Sequence, residues 1–254
     1  MTWGIISSNT SDEQRIFEKS FATNGHFWKR IGQKPNFYGK RVLDAGCGHG
    51  ALAIDAALSG ARSVVAIDFR KESVCFARSV LHARFPHLQA TVEFLEADIT
   101  KFHCKEPFDI IISRDSFEHF ARPQETLQVM TTSLKNGGRM YVGFSPLYYS
   151  PIGHHFEFGF LPPWGHCVIP EAVLCVLAAR RTRGPKPVSV ADVGLNKWTP
   201  KRFRTLFNTS RLRIVDYQIN RSENSLAKLF SFFAWFPGVE RFFTLGIYCV
   251  LEKP

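Results

Sequence analysis

Residues 42–50 read Val42-Leu43-Asp44-Ala45-Gly46-Cys47-Gly48-His49-Gly50, an apolar strand that runs into a loop with glycine at every second position. Glycine tolerates left-handed backbone torsion angles and lets a ligand approach the main chain, at an entropic cost that a purely structural turn rarely accepts three times. The spacing differs from the dinucleotide fingerprint, whose loop faces a pyrophosphate. The acid that precedes the glycines repels phosphate and suits a cationic ligand. The stretch therefore predicts a binding loop for a positively charged, nucleoside-bearing cofactor.

The composition indicates one α/β domain with room for an insertion, because the chain has 254 residues and 45% of them are apolar. The six cysteines form no CxxC pair, so we expect reduced thiols in a cytoplasm. Charges such as Asp12 and Lys19 interrupt the first 25 residues, which predicts no signal peptide. No stretch is long and charge-free enough to span a bilayer.

The formal net charge is +10, and lysine and arginine concentrate in the last third of the chain. Such an excess is typical of proteins that bind nucleic acid or a membrane surface. Because the arginines are scattered, a solvated basic face is the preferred interpretation, and we expect no nucleic-acid partner.

Strand and helix patterns alternate strictly after residue 40. Predicted strands cover 41–45, 63–68, 91–95, 108–113 and 139–144, and predicted helices between them cover 51–58, 71–85 and 123–134. Short apolar strands separated by helices indicate right-handed crossovers and a doubly covered parallel sheet. A helix over 200–207 and strands over 212–219 and 244–251 follow.

Two segments lie outside this alternation. Residues 11–31 have a loose helical pattern, opened by Ser11 and broken at Asn24-Gly25, so 1–39 are predicted to form a helical cap over the cofactor mouth. Proline and glycine are frequent in residues 146–187, which disfavours regular structure outside a short helical pattern. A loop of this length is usually functional, and we interpret it as a lid over the substrate.

Acids follow two of the predicted strands at the edge where ligands bind in open α/β sheets. Asp68 ends the second strand, about 20 residues beyond the glycines, the offset at which an acid accepts from ribose hydroxyls, and Phe69 can face an adenine ring. Asp98 follows the third strand, where it could accept from the adenine amino group while Ile99 covers the ring. Either acid alone would be an ordinary loop residue. Together with Asp44 they indicate a nucleoside site.

These features resemble class I methyltransferases, whose motif I is similar to residues 42–50. The resemblance covers residues 40–145 and the paired strands near 212–219 and 244–251. It implies a Rossmann-like, mostly parallel seven-strand sheet over 40–254, with the lid inserted after strand five, and S-adenosylmethionine (SAM) as cofactor. The expected SAM contacts are Asp44, Gly46, Gly48, Gly50, Asp68, Phe69, Asp98, Ile99 and Ser113.

The segment after strand four, residues 113–120, lacks the Asn-Pro-Pro-aromatic tetrad that family members acting on nucleobase amino groups often carry. Its Glu118-His119 pair resembles that of small-molecule O- and C-methyltransferases. A histidine near neutrality could take a proton from a hydroxyl, so His119 is a candidate base. A structural histidine bonded to the backbone is the alternative.

The predicted lid contributes further histidines. Segments 153–154 and 163–166 resemble the substrate loop of some bacterial small-molecule methyltransferases, which would place His155 or His166 above the methyl donor. Three histidines and Glu157 could also ligate zinc, but no pair has a standard ligand spacing, so no metal is expected. Structural histidines in an aromatic loop are the other alternative.

The leading prediction is a SAM-dependent methyltransferase acting on a small, partly apolar acceptor, a lipid or secondary metabolite, with O- or C-methylation favoured. The apolar run 229–236 is too short to span a membrane, and it predicts a packed helix, an apolar lid or a peripheral membrane contact. An RNA or protein methyltransferase and a non-catalytic SAM-binding regulatory protein remain alternatives. Nothing in the sequence indicates the oligomeric state.

Overall fold

One sheet positions the other elements of the molecule. A computed structural model describes residues 10–181, 185–221, 225–236 and 238–254. In these ranges the strands are β1 (Arg41–Ala45), β2 (Ser63–Asp68), β3 (Val92–Glu96), β4 (Phe108–Arg114), β5 (Leu134–Phe144), β6 (Arg213–Ile219) and β7 (Ile247–Glu252). Their order is β3-β2-β1-β4-β5-β7-β6, and only β7 runs antiparallel to its neighbours. The doubly wound, mostly parallel seven-strand prediction is confirmed.

Helices cover both faces of the sheet. They are α1 (Thr10–Ala22), α2 (Asn24–Ile31), α3 (Ala51–Leu58), α4 (Lys71–Arg84), α5 (Pro123–Ser133), α6 (Gly165–Val168), α7 (Glu171–Ala179), α8 (Pro200–Thr209), α9 (Ser225–Phe233) and α10 (Glu240–Phe243). Successive strand residues point to opposite faces, so Val42 packs with α1 to α4, whereas Leu43 packs with α5 and α8. Within the described ranges, no helix combines the length and the apolar character needed to cross a membrane.

Most predicted boundaries agree with the structure to within three residues, and two features differ more clearly. β5 begins at Leu134 instead of 139, because Gly137 takes a φ of 73° within the strand and donates its N–H to the carbonyl of Lys253 at 2.7 Å. Asn24-Gly25, predicted to break the first helical segment, instead begins α2, and the break lies at Thr23.

The first two helices are fastened to the sheet and to the glycine loop. Asn24 Nδ2 donates to the carbonyl of Ala51 at 3.0 Å, and Arg114 at the end of β4 donates to Asn24 Oδ1 at 2.7 Å. His49 of the glycine loop pairs with Glu13 of α1. The predicted cap therefore contacts the loop through α1, while residues 1–9 lie outside the described part of the chain.

The segment between β5 and α8 has a small core of its own. Its buried apolar side chains are Tyr148, Phe158, Leu174, Ala178, Val190 and Leu195. This core extends past residue 187, where the predicted lid ends, and residues 182–184 are outside the described ranges. The insertion is thus a packed unit that contains α6 and α7 and not a bare loop.

Replacing Asn24 by alanine should lower the free energy of unfolding by about 1–3 kcal/mol, because the Ala51 carbonyl loses its donor and the Arg114 guanidinium loses an acceptor. Urea unfolding followed by circular dichroism measures this change. Thr132→Ala, which removes an exposed hydroxyl bond to the Val129 carbonyl, is the matched control and should change stability by less than about 0.5 kcal/mol. Equal effects would contradict the anchoring role of Asn24.

Candidate active site

At two positions of the loop, close packing excludes any residue larger than glycine. Gly46 and Gly50 have φ values of 79° and 84°, in the left-handed region that disfavours other residues. A β-carbon at Gly46 would lie 2.7 Å from Ser116 Cβ, and one at Gly50 would lie 2.5 Å from Phe94 Cζ. A side chain at either position would therefore collide with its neighbours, which explains why glycine is needed at both.

Gly48 is different, because it opens onto space at the carboxyl edge of the sheet. The nearest atom to a β-carbon there is Arg70 Nη2, at 3.7 Å. The N–H of Gly48 donates to Asp68 Oδ2 at 2.8 Å, and the N–H of Arg70 donates to Asp68 Oδ1 at 2.9 Å. Asp68 therefore fixes the loop to the end of β2, next to the one glycine of the three where an added β-carbon would meet no close contact.

Asp44 places a carboxyl group inside the protein just before the glycine loop. It is 1% exposed, and its Oδ2 has no hydrogen-bond partner among the described residues. Burial raises the pKa of Asp44 to about 7, although the nearby charge of Arg114 opposes this shift. A further cation at this edge would favour the charged carboxylate.

The residues after β2 and β3 lie at the same edge, since Asp68 and Glu96 are paired in register. Asp98 accepts from Thr100 and from Arg122 Nη2, the latter at 2.9 Å. Burial opposes its ionisation, but these hydrogen bonds and charges outweigh it, so the pKa of Asp98 is lowered.

The two predicted adenine neighbours have different surroundings. Phe69 is exposed directly after β2, whereas Ile99 is buried in the core that contains β1 and β4. Phe69 is therefore about half exposed at the carboxyl edge, and Ile99 is part of the core.

Two serine hydroxyls join the end of β4 to the loop. Ser113 is buried and donates to the carbonyl of Ala45 at 2.8 Å, and Ser116 donates to the carbonyl of Gly46 at 3.0 Å. The hydroxyl of Ser113, predicted as a cofactor contact, is thus directed at β1. Ser116 was missed from the sequence, where an ordinary serine in a turn gives no signal of its contact with the glycine loop.

Two of the three predicted catalytic histidines meet beyond β4 and β5. The ring centroids of His119 and His155 are 4.8 Å apart. His119 Nδ1 lies 2.8 Å from the carbonyl of Gly194, and His155 Nε2 lies 2.8 Å from the carbonyl of Pro146. Burial lowers the pKa of His119 and lowers that of His155 to about 4, so both rings are neutral at neutral pH.

His166, the third candidate, lies elsewhere in the insertion. Its buried ring is 5.1 Å from both Tyr148 and His154, and Nε2 bonds to the Tyr148 carbonyl. It borders a cavity of about 160 Å³ whose wall also includes Cys167 and Lys197. Among the described residues, no group of three or more histidine, cysteine or acidic side chains is arranged to hold a metal ion.

Glu118 is a candidate site residue that the sequence analysis did not select, although it selected the neighbouring His119. It is 2% exposed, and neither carboxyl oxygen has a partner in the described part of the chain. Burial and the nearby charge of Asp115 raise the pKa of Glu118 well above its ordinary value. Strongly perturbed carboxyl groups concentrate at functional sites, and the Glu-His pair was the available signal.

The end of the insertion is tied to the turn that carries these groups. Asn196 Nδ2 donates to the carbonyls of Phe117 at 2.7 Å and Phe120 at 3.0 Å, while its N–H donates to the Glu118 carbonyl at 3.0 Å. Gly194, two residues earlier, accepts from His119. The turn after β4 and the insertion therefore form one hydrogen-bonded unit.

Part of the chain matches a known protein family and curated relatives. Residues 36–145 match a family model described as a methyltransferase domain. The ubiquinone biosynthesis O-methyltransferase of Glaesserella parasuis is 37% identical over 121 residues, covering 44% of this chain and 48% of that protein. The enzyme of the same name from Coxiella burnetii is 29% identical over 143 residues, covering 54% and 59%. The chain thus spans about half the length of the curated relatives it matches.

Solved structures are similar over most of the chain. A S-adenosylmethionine dependent methyltransferase from Mesorhizobium loti has a TM-score of 0.61 at 16% identity, covering 91% of this chain and 98% of that one. Magnesium protoporphyrin IX methyltransferase from Synechocystis with bound SAM has a TM-score of 0.55 at 12% identity, covering 96% and 84%. At these identities the likeness shows a shared fold.

The different surroundings of Gly50 and Gly48 predict different losses of stability when each is replaced by alanine. Gly50→Ala should lower the melting temperature strongly, because left-handed strain of about 1–2 kcal/mol adds to an overpacking cost of about 1–3 kcal/mol against Phe94. Gly48→Ala, the matched control, carries the backbone strain alone and should lose about half as much. Equal melting temperatures for the two variants would contradict the assignment of Gly50 to packing and Gly48 to open space.

Proposed function

Because residues 36–145 are a methyltransferase domain within a class I methyltransferase fold, we propose that the chain transfers a methyl group from SAM to a small, partly apolar acceptor, with O-methylation favoured. The observation that carries the proposal is the loop that opens at Gly48 between two buried acids, Asp44 and Asp68. The relatives are O-methyltransferases of ubiquinone biosynthesis by name, which supports a hydroxyl on a small acceptor.

The residues at this edge fit SAM. Asp44 keeps an oxygen without a partner among the described residues, and burial raises its pKa despite the nearby charge of Arg114. In the proposal it compensates the positive charge of SAM, while Asp68 accepts from the ribose hydroxyls and Asp98 from the adenine amino group. Phe69 and Ile99 flank the ring. SAM supplies an electrophilic methyl group on its sulfonium.

His119 is the proposed base for a hydroxyl acceptor. The carbonyl of Gly194 can only accept, so Nδ1 of His119 carries the proton and Nε2 keeps a lone pair. The lowered pKa keeps the ring neutral, which is the form that can take a proton from the acceptor. His155 packs against this ring and positions it, whereas His166 contributes to the wall of the insertion.

The insertion is proposed to act as a lid over the acceptor. Its own core supports a rigid body, and Asn196 ties one end of it to the turn that carries His119. Such a lid would exclude water and align the hydroxyl with the sulfonium methyl. Most of the rate acceleration of methyl transfer should come from this positioning.

The proposal also covers the cellular location of the chain and the partners that it binds. All six cysteines are free thiols, which supports a cytoplasmic location. Several late basic residues pair with acids, among them Lys197 with Glu171 and Arg221 with Asp216, which supports a solvated face and no nucleic-acid partner.

SAM should raise the melting temperature of the wild-type chain by mass action. Asp68→Ala should lose most of this shift, because it removes the proposed ribose acceptor. Asp216→Ala is the matched control, since it breaks a carboxylate pair with Arg221 at β6 and should keep the full shift. A folded Asp68→Ala variant with an undiminished shift would overturn the cofactor assignment.

An acceptor screen with methyl-labelled SAM over hydroxylated aromatic and lipid-like compounds tests the activity itself. With the acceptor found, His119→Ala should lower kcat by about 10²–10⁴-fold and leave SAM affinity unchanged. Because the pKa of His119 is lowered, this base becomes protonated only in acid. Wild-type turnover should therefore fall below pH ~6.5. His166→Ala is the comparison variant and should change turnover far less.

Three results would contradict these assignments. Unchanged turnover in His119→Ala would remove the base. A loss of SAM affinity in the same variant would place His119 in the cofactor pocket. SAM binding without S-adenosylhomocysteine release for any acceptor would favour the regulatory alternative.

A further inference from the structure

An apolar surface lies on α9 and the turn after it. Its side chains, here called the Phe patch, are Leu229, Phe232, Phe233, Trp235, Phe236 and Val239, all exposed to solvent. Trp235 is 83% exposed and Phe232 is 58% exposed. Soluble surfaces scatter single apolar residues, but a contiguous aromatic patch marks an interaction site.

The opposite side of α9 is the one packed on the protein. The Phe230 ring lies 6.1 Å from that of Trp164 and 5.5 Å from that of Phe243, and Ala234 is buried. Trp164 Nε1 donates to the carbonyl of Phe242 at 2.9 Å. α9 is therefore anchored to the insertion by its inner side, and the Phe patch is not the surface that holds it in place.

α9 carries Lys228 and Ser231, but aromatic side chains lie both on its packed side and on its exposed side. In the described part of the chain, the inner side of α9 is covered and the outer side is not. Phe233 contacts Phe243 of α10, with ring centroids 5.0 Å apart, whereas Phe232 and Phe236 contact each other at 5.4 Å. The outer side thus has the composition of an interface without a covering element among the described residues.

Basic side chains border the Phe patch. Lys228 and Arg241 are exposed at its two ends, and the acid beside Arg241, Glu240, is partly buried. α10 packs against both α9 and α8, and α8 exposes Lys201, Arg202 and Arg204. The sequence of α8 contains no acid. The partner that complements this surface is therefore apolar in its interior and anionic at its face.

We propose that the Phe patch docks the chain on the surface of an anionic phospholipid bilayer, with the Trp235 ring at the level of the headgroups. Aromatic rings favour the membrane interface, and basic side chains beside them add attraction to anionic lipids. The docking adds a partner to the proposed function and does not require SAM.

A second copy of the chain fits this surface less well. A two-fold contact would bring each patch against itself, so the basic rims of Lys228 and Arg241 would face the same cations across the axis. A bilayer of anionic lipid presents the opposite charge to the whole rim. The charge pattern therefore selects the membrane over self-association.

Docking through the Phe patch would also fix the orientation of the proposed active site relative to the membrane. Trp164 belongs to the insertion and contacts α9, and the exposed Phe160 and Val168 lie four residues on either side of it. Docking through the Phe patch would place the insertion beside the bilayer. A lipid-like acceptor could then enter the lid from the membrane.

Co-sedimentation of the full chain with vesicles tests the docking. Wild-type protein should bind vesicles of equal phosphatidylcholine and phosphatidylglycerol, and it should bind pure phosphatidylcholine much less. Raising the salt from about 0.1 M to about 0.5 M should weaken binding, because screening shortens the range of the basic rim. The double variant Trp235→Ser/Phe236→Ser should bind at least about tenfold less, because two rings no longer enter the interface.

Tyr38→Ser is the matched control, since it removes an aromatic ring that is 79% exposed and lies before β1. It should bind as wild type does. Quenching by brominated lipid should be strong for wild type and reduced in Trp235→Phe, which reports the depth of that one ring.

Three outcomes would overturn the docking: no binding of wild-type protein, equal binding of the double variant, or a dimer in sedimentation equilibrium that the double variant dissociates without vesicle binding. The SAM-induced melting shift of the double variant separates this result from the proposed function. A retained shift with lost vesicle binding shows a surface role alone. A lost shift with lost vesicle binding shows a damaged fold and contradicts the patch as an independent docking surface.

Discussion

A carboxyl group buried at the end of β1 is the constraint on which the candidate site depends. Asp44 is 1% exposed, and taking a carboxylate out of water costs free energy that a partner must offset. Arg114 offsets part of it and is itself held by Asn24 of α2. The sheet, the first helices and the glycine loop therefore converge on one charge. A cationic ligand at Gly48 would complete the compensation.

The site has two structurally separate halves. Cofactor contacts are proposed on β1 to β3, where Asp68 ties the loop to the sheet. The acceptor half is the turn after β4, whose His119 and Glu118 are joined to the insertion through Gly194 and Asn196. Ser116 links the halves through the Gly46 carbonyl. In the proposed enzyme, the insertion can therefore contact the acceptor side without contributing to the proposed cofactor contacts.

The sequence was sufficient where structure is local. Hydrophobic periodicity predicted β1, α3 and β2 to the residue, and the convergence of Asp44 and Asp68 follows from the parallel sheet. It was insufficient where distant segments meet. The contact of His119 with His155 requires the chain to return after β5, which no local pattern encodes. The core of the insertion was hidden by its many prolines and glycines, and the two unpartnered oxygens of Glu118 depend on tertiary burial.

The proton balance of SAM binding at pH 7 tests the central claim most directly. Isothermal titration calorimetry in two buffers of different ionisation enthalpy gives the protons released per SAM bound. A carboxyl group with a pKa of about 7 is half protonated at that pH, so the wild-type chain should release about half a proton more than Asp44→Asn as the cation draws Asp44 into its charged form. Equal proton balances, or no binding of SAM to the wild-type chain, would contradict the account.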